Sequence, residues 1–315
     1  MAAVVVGIDL GTTHVKFLAV DALGRPAFER QENIAPHLVE ETAVFEQDPE
    51  LVAAIVLHGL KAIAASYSIA GIAFSAGMHS FLVVDEHDRP VTASWTWLDR
   101  RAAAIAQMLR SHPIGRRWHQ ITGTPVHAMS PAVKWLYFRD HYAGSLDNLR
   151  VVALKDFVLH RLTGQWATDF STASASGLCL TSGQWSEEVC EYIGLPAAAL
   201  PKIMPMDTVE DYHGIPLAWG GSDGAMAYIA LDFGQDTDYG VLSAGTSGTL
   251  RLTIAHLPDI LPDHAFGYYM GSRYGYLFGE AFSNVGSLMA WLGGIFGWAP
   301  DVLIRQGLDR LDHTD

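Results

Sequence analysis

The stretch DLGTTHVK at residues 9–16 joins two apolar runs, which cover residues 4–8 and 15–20. Both runs are rich in β-branched residues, and a glycine between two such runs is typical of a β-hairpin turn. Gly11 lets the backbone approach a ligand closely, and successive N–H groups in a tight turn can bind an anion. The stretch therefore predicts two N-terminal strands whose turn is suited to an anionic ligand.

The residue types of this turn suit phosphate groups and their metal, although an ordinary polar hairpin would carry similar residues. The hydroxyls of Thr12 and Thr13 can donate to phosphate oxygens, and Lys16 can add positive charge. Asp9 ends the first strand and is placed to hold a hydrated Mg²⁺ ion. The chain has no GxxxxGK[ST] stretch, so this is not a Walker-type loop.

The composition is that of a globular protein with a sizeable core. Half of the 315 residues are hydrophobic and 17% are charged, and the formal net charge of -14 argues against nucleic acid and anionic membranes as partners. Cys179 and Cys190 have no CxxC spacing, which argues against a disulfide framework or a zinc site and indicates a reducing, cytoplasmic compartment. The N-terminal apolar run lacks a basic flank, which favours a buried strand over a signal peptide.

Helical and strand patterns alternate after the hairpin and predict an α/β fold. We expect strands at residues 69–75 and 81–85, and helices at residues 49–66, 102–110, 132–142 and 154–162. Two apolar runs also flank Gly245, Thr246 and Ser247, which repeats the strand–turn–strand pattern of the N-terminus. This repetition suggests that the two turns face one ligand.

Asp223 lies between glycines in the stretch GGSDGA at residues 220–225. A carboxylate exposed in such a turn can accept a proton from a substrate hydroxyl. An Asx-turn or a helix N-cap is the alternative role for an isolated aspartate before an apolar helix.

Two further stretches, SAGMHS at residues 75–80 and WLDRR at residues 97–101, combine polar groups with an apolar wall. A polyol needs both donors and acceptors as well as a surface to stack on. The polar candidates are His79, Asp99 and Arg101, and the wall candidates are Met78 and Trp97. In the alternative interpretation, Trp97 belongs to the core and Asp99 forms a surface ion pair with Arg101.

The ordered set D-x-G-T-T-x-x-K, M-H-S, W-x-D-x-R, S-D-G-A and G-T-S-G resembles the FGGY carbohydrate kinases over nearly the whole chain. The stretches TGTPVH at residues 122–127 and DFSTAS at residues 169–174 resemble the gluconate kinase branch in particular, as do LKD at residues 154–156 and LTG at residues 162–164. The resemblance implies an actin-like, ribonuclease H-like ATPase fold, in which two α/β domains surround a cleft.

The resemblance also implies roles for individual residues. Asp223 is expected to be the general base and Asp9 the carboxylate that holds Mg²⁺. The residues expected to bind ATP are Asp9, Gly11, Thr12, Thr13, Lys16, Gly245, Thr246 and Ser247. The residues expected to bind the sugar are Met78, His79, Trp97, Asp99, Arg101 and Asp169.

The sequence departs from the family pattern at its C-terminal end. The stretch GEAFSN at residues 279–284 replaces much of the G-G-P-x-N-N segment, and family chains continue well beyond residue 315. We therefore expect a sugar-binding and catalytic domain at residues 1–252 and an incomplete nucleotide-binding domain at residues 253–315. Its tail should be mobile, or buried only by self-association, for example in a homodimer.

The expected function is ATP-dependent phosphorylation of a sugar or sugar acid, most directly of gluconate to 6-phosphogluconate. Xylulose or another polyol is an alternative substrate, and a sugar-binding remnant without nucleotide turnover is an alternative of another class. Gluconate carries a carboxylate, for which His79, Arg101 and Lys155 are the cationic candidates near the sugar motifs.

Overall fold

The DLGTTHVK stretch forms the turn of a β-hairpin, as predicted. In the computed structural model, β1 (Ala3–Leu10) pairs antiparallel with β2 (His14–Val20), and Asp9 is opposite Lys16. Alternate side chains of both strands are buried, because one face of the hairpin packs on the core and the other faces solvent. The structure describes residues 1–34, 37–39, 43–232, 240–244, 248–282, 291–295, 297, 299, 302 and 305.

The hairpin is part of a six-stranded mixed sheet. The remaining strands are β3 (Pro26–Asn33), β6 (Ser68–Ala76), β12 (Val209–Tyr212) and β13 (Ile215–Ser222), and the strand order is β12-β13-β6-β1-β2-β3. β6 pairs parallel with both β1 and β13, whereas the outer pairs are antiparallel. Three parallel strands therefore end at the same edge of the sheet.

Two helices pack against this sheet, α1 (Pro49–Ala64) and α5 (Leu154–Thr163). α1 begins where Asp48 accepts hydrogen bonds from the N–H groups of Glu50 and Leu51, and Pro49 occupies its first turn. A Cβ atom on Gly59 would lie 2.3 Å from Phe17 Cζ, so this glycine allows α1 to approach β2 closely.

A second hydrophobic cluster lies among helices. They are α2 (Ala103–Ser111), α3 (Pro113–Thr122), α4 (Pro131–His141) and α7 (Glu187–Ile193). Short strands and helices connect this cluster to the sheet. They are β4 (His37–Val39), β5 (Val44–Gln47), β7 (Leu82–Val84), β8 (Ser94–Trp95), β9 (Arg150–Val152), β10 (Ala167–Asp169), α6 (Phe170–Ser174), the 3₁₀ helix Ala197–Ala199 and β11 (Lys202–Met204). The predicted helices and strands before residue 163 are confirmed to within a few residues at their ends.

α8 (Asp223–Asp232) follows the last strand of the large sheet, and a four-stranded antiparallel sheet comes after it. Its strands are β14 (Val241–Ala244), β15 (Gly248–Ile254), β16 (Ala265–Tyr269) and β17 (Tyr276–Phe282), in the order β14-β15-β17-β16. The domain boundary predicted after residue 252 falls inside β15, which pairs with both β14 and β17. We propose instead that the second domain begins between α8 and β14.

Cys179 and Cys190 are buried free thiols. Within the described part of the chain, no helix is long and apolar enough to cross a membrane. Of the C-terminal residues that the structure describes, Trp291 and Ile295 are 61% and 57% exposed.

Candidate active site

The carboxyl ends of three parallel strands lie side by side at one edge of the large sheet. Leu10 of β1 pairs with Ala76 of β6, and Ala76 pairs with Ser222 of β13. The first turn, the methionine–histidine loop and the glycine-flanked aspartate begin directly after these residues. Three motifs that are far apart in the sequence therefore meet at one place, as the carboxyl ends of parallel strands commonly do at ligand sites.

A β-bulge directs β13 towards this place. Its register against β6 shifts between Ala218 and Gly221. Gly220 has φ +68°, and a Cβ atom on it would lie 1.7 Å from Phe74 O. Only glycine fits there, because the backbones of the two strands are in direct contact.

The turn at residues 11–13 is held from behind by a buried glutamine. Gln47 is 5% exposed, and its Nε2 donates to Gly11 O at 3.0 Å and to Thr12 O at 2.8 Å. Gly11 N donates to His14 O at 3.0 Å, whereas the N–H groups of Thr12 and Thr13 find no acceptor among the described residues. The carbonyls are therefore occupied by the protein, and two N–H groups remain available to an anion.

Asp9 and Lys16 are neighbours across β1 and β2, next to this turn. Lys16 Nζ lies 4.0 Å from Asp9 Oδ2, and their side chains are 58% and 36% exposed. Such an exposed pair adds little to stability, so both groups remain available to a ligand. No group of three His, Cys, Asp or Glu side chains within the described ranges forms a complete metal site. A single carboxylate fits Mg²⁺ nevertheless, because this ion keeps several waters and takes further oxygens from phosphates.

Asp223 is the first residue of α8, and its carboxylate is accessible to solvent. Its Oδ1 accepts a hydrogen bond from Gly224 N at 2.7 Å, and the Met78 N–H also stabilises the ionised carboxylate. Protein atoms surround the group closely, so desolvation raises the pKa of Asp223, and the nearby charge of Asp9 raises it further; the two N–H groups and Arg251 oppose this change. A carboxylate with a raised pKa near another acid is suited to exchange a proton.

Ser222 occupies the position before α8, and its Oγ lies 3.4 Å from Ala225 N. The capping position at this helix therefore belongs to the serine. Asp223 follows it within the first turn, where the positive end of the helix dipole favours a carboxylate.

His79 lies in a loop with an unusual backbone conformation. Its φ is +64°, which is uncommon for a residue with a side chain and is concentrated at functional sites. Its Nδ1 lies 2.7 Å from Ala175 O, so Nδ1 carries the proton and Nε2 is free to accept. Burial lowers the pKa of His79 to about 3. His79 is therefore neutral, and the expectation that it could supply positive charge to a substrate carboxylate is wrong.

A fully buried lysine that lies outside every predicted motif supports this loop. Lys134 of α4 donates from Nζ to His79 O at 2.7 Å, to Thr96 O at 2.8 Å and to Trp95 O at 3.3 Å. It thereby ties the methionine–histidine loop to the segment that leads to Trp97. Burial lowers the pKa of Lys134 to about 7, and the nearby Asp99 opposes this change.

A small groove, with a volume of about 10 Å³, lies between these elements next to the first turn. Its lining includes Thr12, Met78, Ser80 and Trp97. Trp97 is 42% exposed, and its Nε1 donates to Thr12 Oγ1 at 3.0 Å. The interpretation of Trp97 as a core residue is therefore wrong. Its indole links the predicted sugar wall to the predicted phosphate turn.

Asp99 and Arg101 bind each other rather than lying open to a ligand. Arg101 Nε lies 3.1 and 3.0 Å from the two carboxylate oxygens of the buried Asp99, and its Nη2 lies 2.8 Å from Glu46 Oε1. The guanidinium also stacks 3.6 Å from the ring centroid of Trp95, and Phe45 N donates to Asp99. The alternative of an ion pair is correct, although the pair is largely buried. A direct role of either charge in sugar binding does not fit these contacts.

Asp169 is also fully buried, so its predicted contact with sugar does not fit the structure. Its Oδ2 lies 3.0 Å from Lys155 Nζ, and its Oδ1 accepts from Ser171 N at 2.8 Å and Thr172 N at 3.0 Å. Although burial alone would raise the pKa of Asp169, Lys155 and the donors of Ser171 and Thr172 outweigh it and lower the pKa. Ser171 Oγ then accepts from Ser222 N at 2.9 Å. The buried pair therefore supports the strand end before Asp223, and Lys155 is not available to a substrate.

Gly245, Thr246 and Ser247, the second predicted phosphate turn, lie outside the described residues. The strands that flank them, β14 and β15, form the predicted hairpin.

Arg251 of β15 was missed by the sequence interpretation, and it lies beside the start of α8. A Cβ atom on Gly224 would lie 3.5 Å from Arg251 Cζ and 2.8 Å from Met78 Cε. Arg251 Nε is buried and has no hydrogen-bond partner among the described residues. The alternation of β15 was the only local signal, because it places Thr249, Arg251 and Thr253 on one face.

The sequence profile of the FGGY family of carbohydrate kinases, N-terminal domain, matches residues 4–229. This match spans the large sheet, the groove and Asp223. The chain belongs to the FGGY family of carbohydrate kinases.

Relatives with two substrate names are similar to this FGGY chain. It is 26% identical to a gluconokinase of Bacillus subtilis (strain 168), in an alignment that covers 99% of this chain and 64% of that protein. It is 32% identical to a xylulose kinase of Streptomyces rubiginosus, with 81% of this chain and 55% of that protein covered.

Solved structures agree with this family assignment. A gluconate kinase from Lactobacillus acidophilus superimposes with a TM-score of 0.85 at 25% identity, over 92% of this chain and 62% of that chain. A ligand-bound xylulose kinase from the same organism gives a TM-score of 0.86 at 25% identity, over 95% and 64%. The predicted actin-like ATPase fold is thereby confirmed. The chain spans less than two thirds of the length of these relatives.

Proposed function

We propose that this chain carries the acceptor site and the first phosphate-binding turn of an ATP-dependent sugar kinase. Gluconate is the first candidate substrate, and 6-phosphogluconate is the corresponding product. The observation that carries the proposal is the convergence of the turn at residues 11–13, Asp9 and Asp223 at neighbouring strand ends, beside the groove lined by Met78 and Trp97.

Phosphoryl transfer mainly asks the protein to position its reactants and to stabilise charge. In this proposal the sugar packs against the exposed Trp97 beside the groove, with a terminal hydroxyl directed at Asp223. The N–H groups of Thr12 and Thr13, together with Lys16, hold the phosphates of ATP. Because Trp97 donates to Thr12, the two substrates share one wall of the site.

Asp223 accepts the proton of the attacking hydroxyl in this proposal. Desolvation raises the pKa of Asp223 and makes the carboxylate a stronger base, while the start of α8 and Arg251 favour its ionised form. When bound, Mg²⁺ would neutralise part of the phosphate charge and would be held by Asp9.

Asp223→Asn tests this proposal. The amide keeps the size and polarity of the side chain but cannot accept the proton, so kcat should fall about 10²- to 10⁴-fold, the usual contribution of a general base. Sugar affinity, measured by calorimetry without nucleotide, should change little. Asp140→Asn, at an exposed carboxylate of α4, is the matched control and should have the activity of the unaltered chain. An unchanged kcat in Asp223→Asn would remove Asp223 from the mechanism.

Xylulose is the second candidate substrate, supported by the similarity to the xylulose kinase of Streptomyces rubiginosus. ATP-dependent turnover of a polyol panel that includes gluconate, xylulose and glycerol would distinguish the candidates. Phosphorylation of xylulose but not gluconate would reverse their order.

A further inference from the structure

A sugar acid needs a cation in its binding site, and most cations near the groove already have protein partners. Arg101 is bound to Asp99 and Glu46, and Lys155 is bound to Asp169. Lys134 donates its hydrogen bonds to three backbone carbonyls, and His79 is neutral. These groups support the walls of the groove and cannot bind a substrate carboxylate without breaking the contacts that hold it together.

Arg251 differs from them because it forms no salt bridge with a described carboxylate, and its buried Nε has no hydrogen-bond partner among the described residues. A buried donor without an acceptor is costly, and such a group commonly has a ligand or water as its natural partner. Its guanidinium carbon would lie 3.5 Å from a Cβ atom on Gly224, one residue after Asp223. It is also near enough to Asp223 for its charge to act on that carboxylate.

The surroundings of Arg251 connect it to the sugar side of the site. Arg251 lies close enough to Tyr268 for its positive charge to favour the ionised form of that phenol. The ring of Tyr268 in turn meets the ring of His79 edge-on at a centroid distance of 6.1 Å. Thr253, on the same face of β15, lies 3.2 Å from the hydroxyl of Tyr228 on α8, which shows that this face covers α8. The phosphate side already has its own cation, because Lys16 adjoins Asp9 and the first turn.

We propose that Arg251 binds the carboxylate of a sugar-acid substrate and thereby determines a preference for acids over neutral polyols. This inference rests on the proposed function and assigns its substrate class. A guanidinium suits the task because its parallel N–H groups can bind both oxygens of a carboxylate, which a hydroxymethyl group cannot match. The second sheet thus supplies a specificity residue to an acceptor site that is otherwise built from the large sheet.

Calorimetry of the unaltered chain without nucleotide provides the first test. Gluconate should bind about 10- to 150-fold more tightly than glucitol, in which a hydroxymethyl group replaces the carboxylate, because a hydrogen bond to a charged group is lost. This comparison needs no variant, so it stands even where a substitution would disturb folding. Equal affinities for gluconate and glucitol would overturn the role of Arg251 and leave the proposed kinase function intact.

Arg251→Gln provides the second test. It should weaken gluconate binding by about the same factor and change xylulose or glucitol binding less than about threefold, whereas Arg251→Lys should retain part of the preference. Arg273→Gln, at an exposed arginine between β16 and β17, is the matched control.

An equal loss of affinity for acid and neutral sugars in Arg251→Gln would indicate a structural role. A loss of kcat for every sugar without a change in sugar binding would place Arg251 on the transferred phosphoryl group. Either result would overturn the inference. If no polyol binds to the unaltered chain, the proposed function itself fails.

Discussion

Lys155→Met tests whether the buried ion pair behind Asp223 supports the site. Methionine fills a similar volume without a charge, so the substitution leaves Asp169 ionised, fully buried and without its cation at 3.0 Å. Breaking a buried pair from one side typically costs about 3–5 kcal/mol. Asp169 keeps its N–H and hydroxyl donors from Ser171 and Thr172, so we expect a loss near the lower end, about 3 kcal/mol.

The measurement is urea unfolding of the 315-residue chain at pH 7.5, with Lys202→Met as the control. Lys202 is exposed at the start of β11, and its substitution should change the unfolding free energy by less than about 0.5 kcal/mol. The double variant Lys155→Met/Asp169→Asn removes both charges, while the amide oxygen introduced at position 169 can still accept from the N–H groups of Ser171 and Thr172. The two changes should therefore couple by about 2 kcal/mol, so that the double variant is much more stable than the sum of the single losses.

Additive single losses, or a cost of less than about 1 kcal/mol for Lys155→Met, would refute this reasoning. Such a result would mean that water, or a protonated Asp156, replaces the lysine as the hydrogen-bond donor to Asp169. Because Ser171 also accepts from Ser222 N, the activity of the Lys155→Met variant should fall together with its stability.

Two further substitutions test local features around the site. Gly220→Ala should lower the unfolding free energy by more than about 3 kcal/mol, because its Cβ would lie 1.7 Å from Phe74 O. Gly24 has a similar φ of +74° but no neighbour within 4 Å, so Gly24→Ala should lower it by only about 1 kcal/mol. Similar urea midpoints for the two variants would show that β13 and β6 can move apart. Burial raises the pKa of Asp156 to about 7, above its unfolded value of 3.8, so the stability that this group contributes is complete below pH 3.8 and is lost as the pH rises to about 7. Asp156→Asn keeps an acceptor for Ala153 N and should be more stable than the unaltered chain by about 2–4 kcal/mol at pH 8. The gain in stability should be smaller at pH 5. A gain that does not depend on pH would contradict the raised pKa of Asp156.

The hairpin and the main helices could be predicted because their signals are local. Alternation in β1 and β2 follows from burial of one sheet face, and the start of α1 follows from the cap at Asp48 and the proline after it. The backbone of the candidate site could be anticipated for the same reason, since the turn at residues 11–13 and Asp223 each follow an apolar strand. The pairing of β15 with β17 could not, because a further strand separates them in the sequence.

The roles of the charged side chains could not be predicted in the same way. Asp169 resembles a sugar ligand by its sequence context, but it is the cap of α6, and its partner Lys155 belongs to another helix. Trp97 could be a core residue or a binding residue by its sequence, and only its exposure and its contact with Thr12 decide between them. In both cases the deciding neighbour is remote in sequence and is brought close only by the fold.

The same argument explains why the acid specificity that we propose depends on a residue outside the predicted sugar motifs. In a chain with a net charge of -14, a cation next to a motif rich in carboxylates tends to be neutralised by the protein itself, as Arg101 is by Asp99 and Glu46. Such a pair stabilises the wall of a groove but leaves no charge for a ligand. A cation that remains available must approach from an element whose own neighbours do not neutralise it. Arg251 meets this condition because β15 belongs to the second sheet and brings the guanidinium to the start of α8, where its Nε has no partner among the described residues.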